Sequence, residues 1–364
     1  MRAVMIGGGV GGCALAAALR GTPVGGVPVI VERRAAGAPA GMGFILMPNG
    51  LAALESIAPE FDWRTTGQRI DRVVLRTASG RVLSDHAIEP AVCVARARFL
   101  GMLRTAAGGA QFVQEAAFAG FVRNDDGRAT AVTLEDGRCI EGDLFFGCDG
   151  AQSRTRAQLF PEARLGETVV KEVVSVAHAP ALARQIGSAF HKFHDEEGGL
   201  AVGLLAESDE RVVWFVQYDA RRWPGVTVPG EALAGFVAER TRGWSLEVAA
   251  ALAGTDFAHS HVWPTRDLHP LSSLAAGNVA LVGDAAHACL PFTSQGANGA
   301  LVDAAVLRDV LAEVRDARGA AAALALYSAL RRPHHRRMFM EGRRLREAFL
   351  APLSASAPAV PLVS

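Results

Sequence analysis

A cluster of glycines near the amino terminus constrains this chain more than any other feature. The apolar stretch 3–6 leads into Gly7, Gly9 and Gly12, which have the spacing G-x-G-x-x-G, and strong helix formers follow over 13–20. This order predicts a strand, a tight turn and a helix. Gly7 permits the turn, Gly9 lets the backbone approach a pyrophosphate, and Gly12 lets the helix pack on the strand. Because the helix start offers N–H groups and a positive dipole end to a phosphate, the pattern favours nucleotide binding over a purely structural turn.

An acidic residue supports the same interpretation. A second apolar run, 27–31, ends at Glu32, which lies twenty positions after Gly12. A carboxylate at the end of this strand can accept hydrogen bonds from ribose hydroxyls. Since it would also repel a 2′-phosphate, the site suits FAD or NAD better than NADP. On this N-terminal pattern alone, a plain NAD dehydrogenase is an alternative.

The composition bounds the class of protein. The 364 residues suffice for two domains, and the 50% hydrophobic and 20% charged content is that of a globular protein. The formal net charge of zero gives no sign of a nucleic-acid partner. No apolar run reaches the ~18 residues of a spanning helix, so no membrane partner is expected. The 5 cysteines are scattered without C-x-x-C spacing, which favours reduced thiols in a cytoplasmic protein and no metal site.

The pattern of strands and helices predicts an α/β protein with two domains that interleave in sequence. Four β-branched and aromatic-rich runs between 169 and 218 predict an antiparallel meander, and 69–84 predicts a hairpin that joins it. The basic face of the last helix is expected to be solvated. The predicted segments are 1–68, 91–165 and 263–320 for the nucleotide-binding domain, 69–90 and 166–262 for a smaller substrate-binding β-sheet domain, 321–350 for a C-terminal helix, and 351–364 for a tail.

Two carboxylates follow buried strands, at the edge where open α/β sheets bind ligands. Asp149 comes directly after the apolar run 144–148, and Asp284 follows the strand 279–282. Asp149 could instead cap the helix that comes next. Both residues are therefore candidates for cofactor contacts, with a structural alternative for the first.

Further candidates lie at helix starts and in one apolar loop. Gly296, Ala297 and Asn298 begin a long helix, whose unbonded N–H groups form a site for negative charge. Arg96 stands at another helix start, where the dipole disfavours a cation, so it has either an anionic partner or a solvated side chain. Gly43, within 41–57, would let the backbone approach a flat ligand, although an ordinary strand-to-helix connection explains it equally.

These motifs resemble those of the FAD-dependent aromatic hydroxylases of the para-hydroxybenzoate hydroxylase type, the group A flavoprotein monooxygenases. The resemblance covers 1 to about 345, and the motifs occur in the family's order. Ser294 is a departure, since a glycine usually precedes the Gln-Gly pair. The matching stretches are Gly7-x-Gly9-x-x-Gly12 with Glu32-Arg33, Gly41-Met42-Gly43-Phe44, Arg96-x-x-Phe99-x-x-x-Leu103, the "DG" motif 148–154, and the "GD" motif 283–287 with Pro291 and 295–298.

The resemblance implies a Rossmann-like (GR2-type) FAD-binding domain interleaved with the β-sheet domain and followed by the C-terminal helix. It implies non-covalent FAD, transient reduction by NADH or NADPH, and a C4a-hydroperoxyflavin that hydroxylates an aromatic or other electron-rich small molecule with O2. The enzyme is expected to be a monomer or a homodimer. The FAD contacts implied are Gly7, Gly9, Gly12, Glu32, Arg33, Gly43, Arg96, Asp149, Asp284, Gly296, Ala297 and Asn298.

The substrate site is less defined by the sequence. Pro291 and Phe292 are expected over the flavin ring, and Phe44 beside it. Because strand side chains alternate, His191 and Phe193 share one face of a strand while Lys192 and His194 share the other. The sequence does not choose the face, and no residue is assigned as catalyst. The substrate candidates are Phe44, His191, Phe193, Gln217, Pro291 and Phe292.

Other functions are compatible with parts of the sequence. Related flavoperoxide chemistry, such as epoxidation, Baeyer–Villiger insertion or oxidative decarboxylation, needs the same motifs. A non-catalytic dinucleotide-fold binding protein is a third possibility. A plain NAD dehydrogenase leaves the stretch 279–304 unexplained.

Overall fold

The computed structural model describes residues 1–24, 26–35, 42–225 and 229–353. Gly41, and residues 354–364 of the predicted tail, lie outside the described residues. In chain order the strands are β1 Ala3–Ile6, β2 Val29–Val31, β3 Gly43–Leu46, β4 Gln68–Thr77, β5 Val82–Ala95, β6 Gln111–Val113, β7 Phe118–Arg123, β8 Ala129–Leu134, β9 Cys139–Glu141, β10 Leu144–Gly147, β11 Val170–His178, β12 Ala189–His194, β13 Leu200–Ala206, β14 Arg211–Asp219, β15 His261–Pro264, β16 Ala275–Ala276 and β17 Val279–Leu281.

The helices connect these strands, and short 3₁₀ turns occur at Trp63–Thr65, Phe257–His259 and Pro291–Thr293. The helices are α1 Val10–Ala18, α2 Pro48–Ile57, α3 Arg96–Ala106, α4 Arg154–Leu159, α5 Pro180–Ile186, α6 Glu231–Arg240, α7 Leu246–Ala253, α8 Asp284–His287, α9 Gln295–Leu311 and α10 Ala317–Leu350.

The first sheet is the predicted Rossmann-like sheet. In the described part of the chain its strand order is β16-β17-β10-β1-β2-β6, and all pairs are parallel except β16 with β17. Its central strands are apolar throughout, and Val4, Met5, Phe145 and Phe146 are completely buried. Parallel strands need cover on both faces, which explains these continuous apolar runs. The α/β fold class is therefore confirmed.

The second sheet has the order β15-β11-β14-β13-β12-β4-β5-β3 among the described residues. Strands β12, β13 and β14 form the predicted meander. The pairing differs from a meander of all four runs, because β11 pairs with β14 and not with β12, and β12 instead runs parallel to β4. A parallel pair is possible here because β4 and β12 are far apart in sequence and are joined by a long crossover. Since β3 and the end of β5 also pair in this sheet, sheet membership does not follow the predicted domain boundaries, which stay a prediction.

The second sheet has two faces with different neighbours. Phe193, Trp214 and Tyr218 belong to a buried cluster together with residues of α5, α6 and α7. The opposite face carries Phe190 and Phe215, which cluster with apolar residues of β3 and β5. We call this opposite face, which includes Glu172, Lys192, Phe215 and Gln217 by strand alternation and cross-strand register, the inner face.

The last helix, α10, is longer than the predicted segment 321–350, and its capping residue is Asp316. Its basic face is only partly solvated. Arg332, Arg336 and Arg337 are exposed, whereas Arg331 and His335 are buried beneath the helix. Among the described helices, none combines the length and the apolar character needed to cross a bilayer.

Candidate active site

A cleft of about 510 Å³ opens at the carboxyl edge of the first sheet. It collects the segments that follow β1, β2, β10 and β17, together with the starts of α3 and α9. Gly12, Gly43 and Asn298 are absent from its described lining. The predicted cofactor residues that line it are Gly7, Gly9, Glu32, Arg33, Arg96, Asp149, Asp284, Gly296 and Ala297.

The three glycines of the first turn are needed for different structural reasons. Gly7 has a φ of +113°, and a Cβ there would lie 2.4 Å from the carbonyl oxygen of Cys148. A Cβ on Gly12 would lie 2.0 Å from the carbonyl oxygen of Gly7, so both positions require glycine for the protein's own packing. Around Gly9, by contrast, a Cβ would meet no heavy atom of the described residues within 4 Å. Gly9 faces the cleft, and only a ligand would make its missing side chain necessary.

The carboxylate of Glu32 is held by the backbone on both sides. Its Oε2 accepts a hydrogen bond of 2.8 Å from the Gly8 N–H, and its Oε1 accepts one of 2.9 Å from the Arg34 N–H. A carboxylate has about four acceptor positions, so capacity remains for further donors. The backbone thus fixes an acceptor at the end of β2.

Asp149 serves the protein's own structure. Its Oδ2 accepts hydrogen bonds from the Thr155 N–H at 3.0 Å and from the Thr155 hydroxyl at 3.1 Å. Its Oδ1 accepts from the hydroxyl of Ser153, which caps α4. The alternative given by the sequence, a helix-capping role, therefore describes this side chain, although Asp149 also borders the cleft.

Arg156 joins the two motifs that follow β10 and β17. Its guanidinium donates hydrogen bonds of 2.6 Å to the Ala151 carbonyl and 3.1 Å to the Ala285 carbonyl. The residue is buried. The sequence analysis did not select it, because its partners are backbone carbonyls, one of them 129 residues away.

Arg96 and Asp284 face one another across the cleft. Burial lowers the pKa of Arg96, and the charge of Asp284 opposes that shift. No hydrogen bond of the Arg96 side chain is formed within the described residues. A partly buried guanidinium that forms no ion pair with a carboxylate of the described residues is suited to bind an anionic group.

The loop before α9 has a strained start. Ser294 has a φ of +54°, in the left-handed region that favours glycine, which explains why a glycine is usual at this place in the similar family. Helix α9 follows without a side-chain cap in the described structure, so its first N–H groups remain available. The Asn298 side chain is used internally: its Oδ1 accepts from the Met47 N–H at 2.9 Å and its Nδ2 donates to the Ile45 carbonyl at 2.9 Å.

A cluster of buried charged side chains around Asp303 lies next to this loop. The Oδ2 atom of Asp303 accepts a hydrogen bond of 2.9 Å from the Gly283 N–H and lies 2.7 Å from His287 Nε2, and its Oδ1 accepts one of 2.6 Å from the Arg331 guanidinium. Burial alone would raise the pKa of Asp303, but His287 and Arg331 hold it well below its usual range. Helix α10 is thereby tied to the motif that begins at Gly283.

A second polar cluster lies on the inner face of the second sheet. The Lys192 ammonium donates to Gln217 Oε1 at 3.0 Å, and Gln217 Nε2 donates to Glu172 Oε2 at 2.7 Å. The Lys192 Nζ lies 5.4 Å from the ring centroid of Phe292. Burial lowers the pKa of Lys192 to about 8, with Glu172 opposing the shift, and burial raises the pKa of Glu172 to about 7.

The structure brings some predicted substrate residues together and separates others. Gln217 and Phe292 meet at Lys192, and Pro291 precedes Phe292 in the same 3₁₀ turn. The other three lie elsewhere. Phe44 packs edge-to-face on Phe99 with centroids 5.3 Å apart, and His191 and Phe193 lie on the face of β12 opposite to Lys192.

Lys192 and Glu172 were not selected from the sequence. Strand alternation had defined Lys192 and His194 as the face opposite to His191 and Phe193. What decides between the faces is the packing of Phe292 against one of them.

Comparison with known proteins identifies the family. The sequence model of the family described as "FAD binding domain" matches residues 1–341. The chain belongs to this family. Among its relatives, a 3-amino-4-hydroxybenzoate 2-monooxygenase of Streptomyces platensis is 29% identical, covering 96% of this chain and 89% of the relative. An FAD-dependent urate hydroxylase of Klebsiella pneumoniae is 27% identical, covering 94% and 89%.

Solved structures show the same fold. The crystal structure of Klebsiella pneumoniae HpxO complexed with FAD and uric acid superposes with a TM-score of 0.83 at 23% identity, covering 96% of this chain and 89% of that one. The family and its relatives make this chain an FAD-dependent monooxygenase that hydroxylates a small molecule. The resemblance stated from the motifs is confirmed, and the comparisons support hydroxylation and not the alternatives.

Three independent observations indicate that the cleft of this FAD-dependent monooxygenase fits its cofactor. The N–H groups at the start of α1 face it behind Gly9, whose missing side chain leaves open space. Arg96 supplies a positive charge whose side chain forms no hydrogen bond in the described structure. Glu32 supplies an oriented acceptor at the end of β2.

Proposed function

We propose that this monooxygenase hydroxylates a small aromatic compound held between the 3₁₀ turn at Phe292 and the inner face of the second sheet. The observation that carries the proposal is the path of one loop. Residues 284–297 border the cofactor cleft at both ends, at Asp284 and at Gly296, and between them they place Phe292 against Lys192. Cofactor and substrate positions therefore share a single supporting segment.

The residues of the cleft have separate tasks in this proposal. The N–H groups after Gly9 bind the pyrophosphate, with the helix dipole of α1 behind them. Arg96 offsets phosphate charge, and Glu32 accepts hydrogen bonds from the ribose. Asp284 would hold the part of the cofactor between the pyrophosphate and the ring, and the backbone at Gly296 would hold the ring edge.

Bound FAD would pass two electrons from NADH or NADPH to O2, so that one oxygen atom enters the substrate and the other leaves as water. The protein positions the substrate, stabilises charge at the ring edge and excludes water from the site. The start of α9 offers N–H groups to negative charge at the ring edge. The apolar side chains of Phe292 and Phe215 exclude water beside Lys192, which protects the reactive state from decay.

The remaining expectations concern the surroundings of the enzyme. All five cysteines are free thiols in the structure, which supports a reducing, cytoplasmic location. The proposed partners are a small aromatic substrate and O2, with the protein as a monomer or a homodimer.

The proposal is tested by purifying the full chain and measuring its visible spectrum, followed by a screen of aromatic compounds that accelerate NAD(P)H oxidation. A true substrate will carry one atom of ¹⁸O after turnover under ¹⁸O2. A protein that cannot retain flavin, or a stimulating compound that gains no labelled oxygen, would contradict the proposal.

A further inference from the structure

The outward side of α10 is apolar where a surface helix is normally polar. Every exposed residue from 321 to 340 is alanine, leucine, proline, methionine or arginine, and we call this surface the α10 face. Leu326, Leu330 and Met340 are 51%, 53% and 63% exposed, and they are three of the eight large hydrophobic residues that stand exposed in the described structure. Single exposed hydrophobic side chains need no explanation, but three on one helix indicate a contact surface.

The three hydrophobic side chains lie on one side of a helix whose rotation is fixed. With 3.6 residues per turn, they fall within about 80° of arc and span about 21 Å along the axis. The opposite side of α10 is anchored in the protein. The Tyr327 hydroxyl donates to the Leu281 carbonyl at 2.8 Å, and the Arg331 guanidinium donates to Asp303 at 2.6 Å. Because these contacts hold the helix, the α10 face cannot turn inward to bury its leucines.

The exposed charge of the α10 face is positive throughout. Helix α10 contains no acidic residue before Glu341. Arg332 and Arg336 are exposed, and neither forms a hydrogen bond or an ion pair within the part of the chain that the structure describes. The third exposed arginine, Arg337, contacts the His334 ring at 3.2 Å. Since the formal net charge of the chain is zero, this positive charge is local to the α10 face.

The composition of the α10 face decides between possible partners. A second copy of this chain would present the same arginines, and no acidic side chain of the face could meet them. The exposed residues of the face include no aromatic, hydroxyl or amide side chain, which are the groups that proteins use to anchor and orient a specific protein partner. Aliphatic side chains together with arginines are instead the combination that binds an anionic bilayer.

We propose that the α10 face docks this monooxygenase on the surface of a bilayer that contains anionic phospholipids. Leu326, Leu330 and Met340 enter the boundary between head groups and acyl chains, and the three exposed arginines bind lipid phosphates. Helix α10 then lies along the membrane plane. This peripheral contact needs no spanning helix, and it was the lack of a spanning segment on which the expectation of no membrane partner was based. The docking does not depend on which compound the enzyme hydroxylates.

The binding test uses the FAD-loaded full chain, sedimented with vesicles of phosphatidylcholine that are either pure or mixed with an equal amount of phosphatidylglycerol. We expect the enzyme to bind the mixed vesicles, to bind the pure ones much more weakly, and to dissociate at high salt. Leu326→Gln/Leu330→Gln and Arg332→Gln/Arg336→Gln should each lower the partition coefficient on mixed vesicles by roughly tenfold.

Matched controls remove the same kinds of side chain elsewhere on the protein. Val82→Gln/Leu246→Gln replaces two exposed apolar residues, and Arg98→Gln/Arg242→Gln replaces two exposed arginines, all outside α10. Both control proteins should bind mixed vesicles as wild type does. Because every substituted side chain is exposed, the visible spectra and melting temperatures of all four variants should match those of wild type.

A second measurement leaves the sequence unchanged. Met340 is exposed on the α10 face, whereas Met102 on α3 is half-buried. Peroxide converts an accessible methionine to its sulfoxide, which mass spectrometry detects. We expect mixed vesicles to slow the oxidation of Met340 severalfold and to leave that of Met102 unchanged. An equal rate at Met340 with and without bound vesicles would overturn the inference.

Other results would overturn it as well. One is the absence of binding to mixed vesicles, or equal binding to pure and mixed vesicles. Another is a leucine or arginine double variant of the α10 face that binds as tightly as wild type. A dimer found by sedimentation equilibrium without lipid, and dissociated by Leu326→Gln/Leu330→Gln, would assign the α10 face to a second copy of this chain instead.

Discussion

Replacement of the buried Lys192 by methionine is expected to stabilise the folded protein. In the unfolded chain the lysine pKa is 10.5, and in the folded protein burial lowers it to about 8. At about 1.36 kcal/mol per pKa unit, holding the proton inside the fold costs about 3 kcal/mol. Methionine has a similar shape and no charge, so this cost disappears. The substitution also removes the hydrogen-bond donor of Gln217 Oε1, and this loss reduces the gain in stability by about 1 kcal/mol.

The free energy of unfolding of Lys192→Met should exceed that of wild type by about 2 kcal/mol, and this difference depends on pH. Below pH 8 lysine is charged in both states, so the full cost of burial is present and the variant has its largest advantage. As pH rises from about 8 toward 10.5, folded Lys192 loses its proton first and the cost fades. Above 10.5 only the lost hydrogen bond remains, and the variant is then the less stable protein.

The assay is thermal unfolding with saturating FAD at pH 7 and at pH 9.5. At pH 7 we expect Lys192→Met to melt about 3 °C above wild type, and the difference to shrink at pH 9.5. Lys192→Arg keeps a permanent charge and is expected to melt below wild type. Lys171 is half-buried, but the hydrogen bond of its ammonium is exposed, so Lys171→Met should change the stability by less than about 0.5 kcal/mol. A Lys192→Met protein that is less stable than wild type at pH 7 would refute the argument.

Three further predictions concern the cofactor cleft and its support. Gly9→Val should abolish FAD retention, because the valine side chain would project into the open cleft. The flavin-free Gly9→Val protein should nevertheless melt like the flavin-free wild type. Gly12→Ala should instead unfold the protein, since its Cβ would lie 2.0 Å from a backbone oxygen. A flavin-loaded Gly9→Val protein, seen in its absorbance spectrum, would place the pyrophosphate elsewhere. Asp303→Asn should cost about 3–5 kcal/mol in urea unfolding, because it leaves a buried guanidinium uncompensated. Since the pKa of Asp303 is held well below its usual range, this contribution is present at neutral pH and is lost as the pH falls through the folded value, so wild type and variant should converge in acid. Ser294→Gly should raise the melting temperature, because it removes about 1 kcal/mol of left-handed backbone strain; an unchanged or lowered value would contradict this.

Much of the cofactor site could be predicted from the sequence because its determinants are local. The turn at Gly7 and Gly12 depends on glycines that contact residues next to them or at the end of the neighbouring strand. Strand ends in a parallel sheet meet at one edge, so Asp149 and Asp284 could be placed before any contact was known. What this argument missed is the internal use of side chains between distant segments, such as the hydrogen bonds of Asn298 with the Met47 N–H and the Ile45 carbonyl.

The substrate side of the site was decided by tertiary structure. Alternation along β12 established that Lys192 and His191 point to opposite faces, and this followed from the sequence alone. Which face is the inner one depends on where the segment around Phe292 packs, about a hundred residues further along the chain. The same applies to Arg331, which its helix pattern places among solvated arginines and which the structure buries on Asp303. Periodicity determines which side chains belong together, whereas the choice between a buried and an exposed face is made by contacts between distant segments.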